Sequence, residues 1–155
     1  MNKILIAVDD TVSTRDIFNK STHICKCMAP DEIILLYVER LSGPSILSEM
    51  GTDAEMSTLK EVLEGTAFQK ALDVKAKKIL EYYKNALEEK PPVPKVRVVV
   101  KHGKVAEQIV ETAKAEDVMM ILIGSKDKRL PTSLFIGSVS REVVNTADRP
   151  VLLVK

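Results

Sequence analysis

The chain contains no tryptophan, and aromatic residues make up only 4% of its 155 positions. Proteins that grip single-stranded nucleic acid stack bases on aromatic side chains, so that class of partner is not expected. Charge of one sign is lacking too. There are 23 Lys and Arg against 22 Asp and Glu, a formal net charge of +1, which speaks against a nucleic-acid coat and against an acidic tail. No apolar run approaches the roughly 20 residues that span a bilayer, so no membrane association is expected. The opening MNKILIAVDD has too short an apolar stretch for a signal peptide, and two acids follow it at once. A cytoplasmic protein is therefore expected. Cysteine is limited to Cys25 and Cys27. Two residues apart on a helix they face nearly opposite ways and cannot bridge to each other. With His23 they read H-x-C-x-C, but no second ligand cluster accompanies them. They are read as buried or semi-buried free thiols, not as a metal site. Internal repeats, linkers and low-complexity tracts are absent as well.

What remains is an ordinary globular composition, 45% hydrophobic and 29% charged. The length suits one domain over residues 1–155 with a proper core. Apolar runs at Ile4–Val8, Ile33–Val38, Val96–Val100, Val118–Ile123 and Val151–Val154 read as strands. Most are apolar on both faces, as in parallel sheets covered by helices. Helical patterns lie between them. One runs from about Thr14 to Ala29, with Ile17, Phe18, Ile24, Cys25 and Met28 inward. A second runs from about Met56 to Glu89, and its spacing of Leu72, Ala76, Ile79, Leu80, Tyr83 and Leu87 secures the second half. Pro91, Pro92 and Pro94 end it. A third spans about Lys104 to Ala115, and a fourth Ser138 to Ala147. Arg40–Ala54, with Gly43-Pro44 and Gly51, reads as a loop. The alternation predicts an α/β fold.

The segment VMMILIGSKDKRLPTSLFIGSVSREVV carries most of the functional signal. A strand stops at Gly124, a cationic loop follows, and Gly137 opens a helix at Ser138. Backbone N–H groups at such a helix start converge on anions, and the helix dipole favours negative charge there. Either glycine alone would be read as a strand end or a helix cap. Both together, with two hydroxyls in the next turn, point to an anion site. In an open parallel sheet, ligands bind beyond the C-terminal strand ends. Asp9, Val38, Gly103 and Gly124 all fall at such ends. Asp9 reads equally well as a ligand contact or as a helix cap, and Asp10 as a cap or a solvated acid.

Other chemistries fail on spacing. ILIAVDD resembles the first strand of a response-regulator receiver, but the only central acid, Asp53 in MGTDAEM, is at no strand end. There is no G-x-x-x-x-G-K-[ST] and no G-x-G-x-x-G. His102 has no assignable nucleophile and acid, so it is read as solvent-facing or structural. No catalytic constellation assembles, and a binding protein is expected, with slow hydrolysis of a bound ligand the weakest option.

With KILIAVDD, IILLYVE, HGKVAEQIVETAKAEDVMMILIGS and GSVSREVVNTADRPVLLV, the chain resembles a universal stress protein over essentially its whole length. Nucleotide-binding members of that family carry G-x-x-G-x9-G-[ST]. Gly124, Gly137 and Ser138 match its first glycine, its third glycine and its hydroxyl. The resemblance implies a Rossmann-like three-layer α/β sandwich of five parallel strands, order 3-2-1-4-5. It implies ATP or AMP as ligand, with adenine and ribose contacts from Asp9 and Val38 and with Gly103 near the ribose. Phosphate contacts are implied for Gly124, Gly137, Ser138, Val139 and Ser140. It also implies a homodimer joined through Val151, Leu152, Leu153 and Val154, and a stress-response regulatory role. The alternative is a nucleotide-free, dimeric interaction module. One position departs from the motif, whose middle glycine is Asp127 here. Asp tolerates the left-handed region better than most residues, but its carboxylate would repel polyphosphate. Lys126, Lys128 and Arg129, or a bridging Mg or Mn ion, would offset that charge. These three cations also read as a plain solvated loop.

Overall fold

A computed structural model describes residues 1–9, 27–39, 67–88, 95–125 and 136–154. Five parallel strands form one sheet: β1 (Lys3–Val8), β2 (Glu32–Glu39), β3 (Lys95–His102), β4 (Met120–Gly124) and β5 (Val151–Val154). Their order is β3-β2-β1-β4-β5, with every neighbouring pair parallel. This is the order expected from the sequence. Three helices lying within the described residues pack on the sheet: α1 (Ala67–Glu88), α2 (Val105–Ala115) and α3 (Ser138–Thr146).

The layers follow from alternation along the strands, since successive side chains point to opposite faces. Ile4, Ile6, Ile33, Leu35 and Leu122 bury one face against Leu80, Tyr83 and Leu87 of α1. Leu5, Ile34, Leu36, Val38, Ile121 and Ile123 bury the other against Ala106, Ile109 and Ala113 of α2 and Val143 of α3. β1 is central, and its Ile4, Leu5 and Ile6 are wholly buried. That explains its unbroken apolar run. β3 is an edge strand and leaves Val98 and Val100 partly exposed.

Of three local features, two differ from the sequence reading and one follows it. The run Val118–Ile123 is not all strand, because β4 begins at Met120. Val118 instead completes the end of α2. Asp117 adopts a left-handed φ of 51°, its N–H bonds the Lys114 carbonyl at 3.2 Å, and the Val118 N–H bonds the Ala113 carbonyl at 3.1 Å. This paired arrangement is a Schellman cap, with Asp in the place glycine usually takes. Second, as expected, α3 opens at Ser138, with Gly137 as its N-cap and no side-chain cap. Third, Cys27 is exposed rather than buried. It sits in the last helical turn before Ala29, whose φ of 41° and following Pro30 end that helix, while Met28 takes the position against the core. The rest of the helix expected over Thr14–Ala29, the Arg40–Ala54 loop, the first part of the Met56–Glu89 pattern, Asp10, Asp53 and the Lys126–Arg129 segment lie outside the described residues.

The N-terminal edge of the sheet is tied by ion pairs. The Arg97 guanidinium meets Glu116 through two nitrogens, one at 2.9 Å, and reaches Glu32 at 3.1 Å. Lys3 Nζ lies 3.6 Å from the Glu116 carboxylate and donates to its carbonyl at 2.8 Å. This end is built for cohesion.

Candidate functional site

The expected site residues lie along the C-terminal edge of the sheet. Asp9 directly follows β1 and is exposed. The parallel register pairs Val8 with Tyr37, so Asp9 and Val38 are the next residues of adjacent strands. Glu39 is in register with His102, and Gly103 follows as the turn into α2. On the other side of β1 stands β4, which ends at Gly124. The edge therefore presents, in order, Gly103, Val38, Asp9 and Gly124.

Strand order reverses between β1 and β4, since β1 leads outward to β2 and β3 while β4 leads the other way to β5. Pairing of β1 with β4 runs from Ile4 with Met120 to Ile6 with Leu122. Ala7, Val8, Ile123 and Gly124 continue beyond that last pair. β4 continues toward β5 instead: Gly124 is in register with Val154, and the Ser125 N–H bonds the Val154 carbonyl at 3.0 Å. A crevice at the point of reversal is where open α/β sheets receive ligands.

The N-terminus of α3 is fastened to this crevice. The Gly137 N–H donates to the Ser125 carbonyl at 3.0 Å, and the Ser140 hydroxyl donates to the Gly124 carbonyl at 2.5 Å. Gly124 and Ser140 thus touch, and Ser140 is buried. The first intrahelical bond runs from the Arg141 N–H to the Gly137 carbonyl at 2.9 Å. The N–H groups of Ser138, Val139 and Ser140 precede it and have no intrahelical acceptor. Among the described residues no side chain caps them, and the first turn of α3 has no acid. α2 differs, with Glu107 in its first turn. The first turn of α3 itself thus offers no acid to the positive end of the helix dipole.

Gly103 has φ +123°, a conformation other residues rarely adopt. A Cβ built there would meet Gln108 Cγ at 3.9 Å, an ordinary contact. The glycine is thus required by the turn and not by crowding. Gly137, in contrast, has φ −58°, so its glycine serves no left-handed turn.

Sequence reasoning missed one pairing at this edge. His102 Nδ1 lies 2.9 Å from Glu39 Oε2, and the Glu39 side chain is 1% exposed. The signal was a charged residue closing an apolar strand and a histidine immediately before a glycine turn. Only the β2–β3 register brings the two together. Among the described residues no group of three His, Cys, Asp or Glu could hold a metal ion, and no helix is long and apolar enough to cross a membrane.

Residues 1–155 match the universal stress protein family. Universal stress protein MJ0577 of Methanocaldococcus jannaschii is 30% identical over 158 aligned positions, covering 100% of this chain and 96% of that protein. Among solved structures, universal stress protein UspA from Lactobacillus plantarum is similar in fold, with a TM-score of 0.75 at 21% identity, covering 99% of this chain and 97% of that one. The universal stress protein from Archaeoglobus fulgidus in complex with dAMP superposes with a TM-score of 0.61 at 18% identity, covering 100% of this chain and 98% of that one. By the full-length family match and the coverage of its relatives, this chain is a member of the universal stress protein family.

Proposed function

We propose that this universal stress protein binds an adenine nucleotide, ATP or AMP, across the C-terminal strand ends and acts as a cytoplasmic, homodimeric regulatory module in a stress response. The observation that carries this reading is the α3 N-terminus: three N–H groups without intrahelical acceptors and no acid in the first turn, beside the parting ends of β1 and β4. That is the chemistry an anionic phosphate chain requires. In this reading Ser138, Val139 and Ser140 donate their backbone N–H groups to phosphate, and Gly137 and Gly124 let the chain approach closely. Ser138 adds an exposed hydroxyl. The Ser140 hydroxyl holds Gly124 in place, so Ser140 contributes through its N–H. Asp9 and Val38 receive adenine and ribose, with Gly103 beside the ribose. The dAMP held by the fold-similar protein from Archaeoglobus fulgidus supports the choice of an adenine nucleotide.

The reading is one of binding and not of catalysis, because no general base is assigned to the site. Calorimetric titration with ATP and AMP, with and without magnesium or manganese, tests it. Saturable binding below millimolar concentration is expected. No binding of either nucleotide up to millimolar concentration would favour the nucleotide-free interaction module, the reading to which Asp127 in the glycine motif lends weight.

A further inference from the structure

We infer that Glu39 and His102 are a positioning pair that fixes the Gly103 turn, and with it the ribose side of the crevice. The consequence for ligand binding rests on the nucleotide reading above, whereas the geometry of the pair does not.

Gly103 is held at φ +123°. Glycine adopts this conformation without strain, so the links around it are what select it. Two links meet there, and both join the same strand ends. The Gly103 N–H donates to the Glu39 carbonyl at 3.1 Å. One residue earlier, His102 Nδ1 stands 2.9 Å from Glu39 Oε2. Main chain and side chain together clamp the end of β3 to the end of β2. Among the described residues β3 is an edge strand, and β2 is its one strand neighbour there. The clamp is therefore placed where the sheet is otherwise least constrained.

Burial gives the contact its weight. Both carboxylate oxygens of Glu39 are shielded from solvent. A buried carboxylate is costly unless a donor faces it, and His102 Nδ1 is a ring nitrogen at ion-pair distance, though not in hydrogen-bond alignment. His102 is itself 25% exposed, so it spans from the buried carboxylate to the surface turn. Val38 packs on the α2 and α3 face of the sheet. Alternation along β2 puts the Glu39 side chain on the α1 face. The pair therefore stands behind the crevice and acts through Gly103 and Val38, not by touching the ligand.

The test compares the full chain with His102→Ala and His102→Asn. The amide nitrogen of Asn can occupy the place of Nδ1 and restore a donor to Glu39. Amide hydrogen exchange at Gly103, followed by NMR without nucleotide, is expected to be about tenfold faster or more in His102→Ala. It should stay near the parent rate in His102→Asn, with β1 and β4 amides unchanged in both. AMP affinity should fall several-fold in His102→Ala and recover in His102→Asn. Unchanged Gly103 exchange in folded His102→Ala, or equal acceleration across β1 and β4, overturns the pair as a local clamp. Faster exchange with unaltered AMP affinity overturns its role at the ribose side. A parent that shows the Gly103 effect but binds no AMP leaves the clamp standing and removes the nucleotide reading.

Discussion

At the scale of single residues, Ser138 makes the sharpest case. It is the first helical residue of α3, and it is exposed. An acid at this position would meet the positive end of the helix dipole and stabilise the free protein by roughly 0.3–1 kcal/mol. The same carboxylate would stand where phosphate is proposed to bind. Ser138→Asp is therefore expected to raise the melting temperature while weakening ATP binding, and to weaken ATP more than AMP. Thermal melts paired with calorimetry check this opposition of signs. A variant stabilised with unaltered affinity would move the phosphate away from α3. Glycines at this scale were only partly legible. The turn before α2 was readable at Gly103, and φ +123° supplies its reason. Gly137 was readable as a helix opening, but its φ of −58° serves no left-handed turn; it is the N-cap, where glycine is acceptable and Val is poor.

Among elements, the corner formed by β2, β3 and the end of α2 carries the pH response that can be derived. The hydrogen bond from Arg97 to Glu116 holds the Glu116 carboxyl below its ordinary value of 4.5. A carboxylate whose pKa is lowered by folding contributes stability that is fully present above the unfolded value. That contribution is lost as pH falls through the folded one. Glu116→Gln should therefore lower the melting temperature at neutral pH, modestly because the pair is partly solvated. Its gap to the parent should close as pH drops below about 4.5. Melting curves from neutral to acid pH give the answer, and a gap that widens on acidification would contradict the assignment. The elements themselves were largely legible, since buried parallel strands announce themselves as short apolar runs and α2 as a periodic stripe. The start of β4 was not. Val118 is as apolar as the strand that follows, and the cap it completes depends on a left-handed Asp117 that composition does not mark. The Glu39–His102 pair was hidden for another reason, because contact across two strands becomes readable only once their register is known.

For the whole molecule, the two edges of the sheet differ in kind. β3 carries Lys95, Arg97 and Lys101 along its length, and edge charges of this sort discourage pairing with another chain. β5 reads Val151-Leu152-Leu153-Val154 without a charge, and its first three side chains are only partly buried. An uncharged apolar edge invites pairing, and a two-fold interface lets the same strand satisfy its own copy. A homodimer joined through β5 is the proposal, and Leu153→Lys should shift it toward monomer at micromolar concentration while the fold persists by circular dichroism. Light scattering decides, and a monomeric parent or a fully dimeric variant would place the interface elsewhere. The central claim concerns the other end of each protomer, where the strand ends and α3 are proposed to hold an adenine nucleotide. Backbone amide NMR during titration with AMP tests that claim most directly. Saturable shifts are expected at Val38, Gly103, Ser138, Val139 and Ser140, with the Arg97 and Glu116 corner unmoved. Shifts confined to other surfaces, or none up to millimolar AMP in the folded protein, would contradict it.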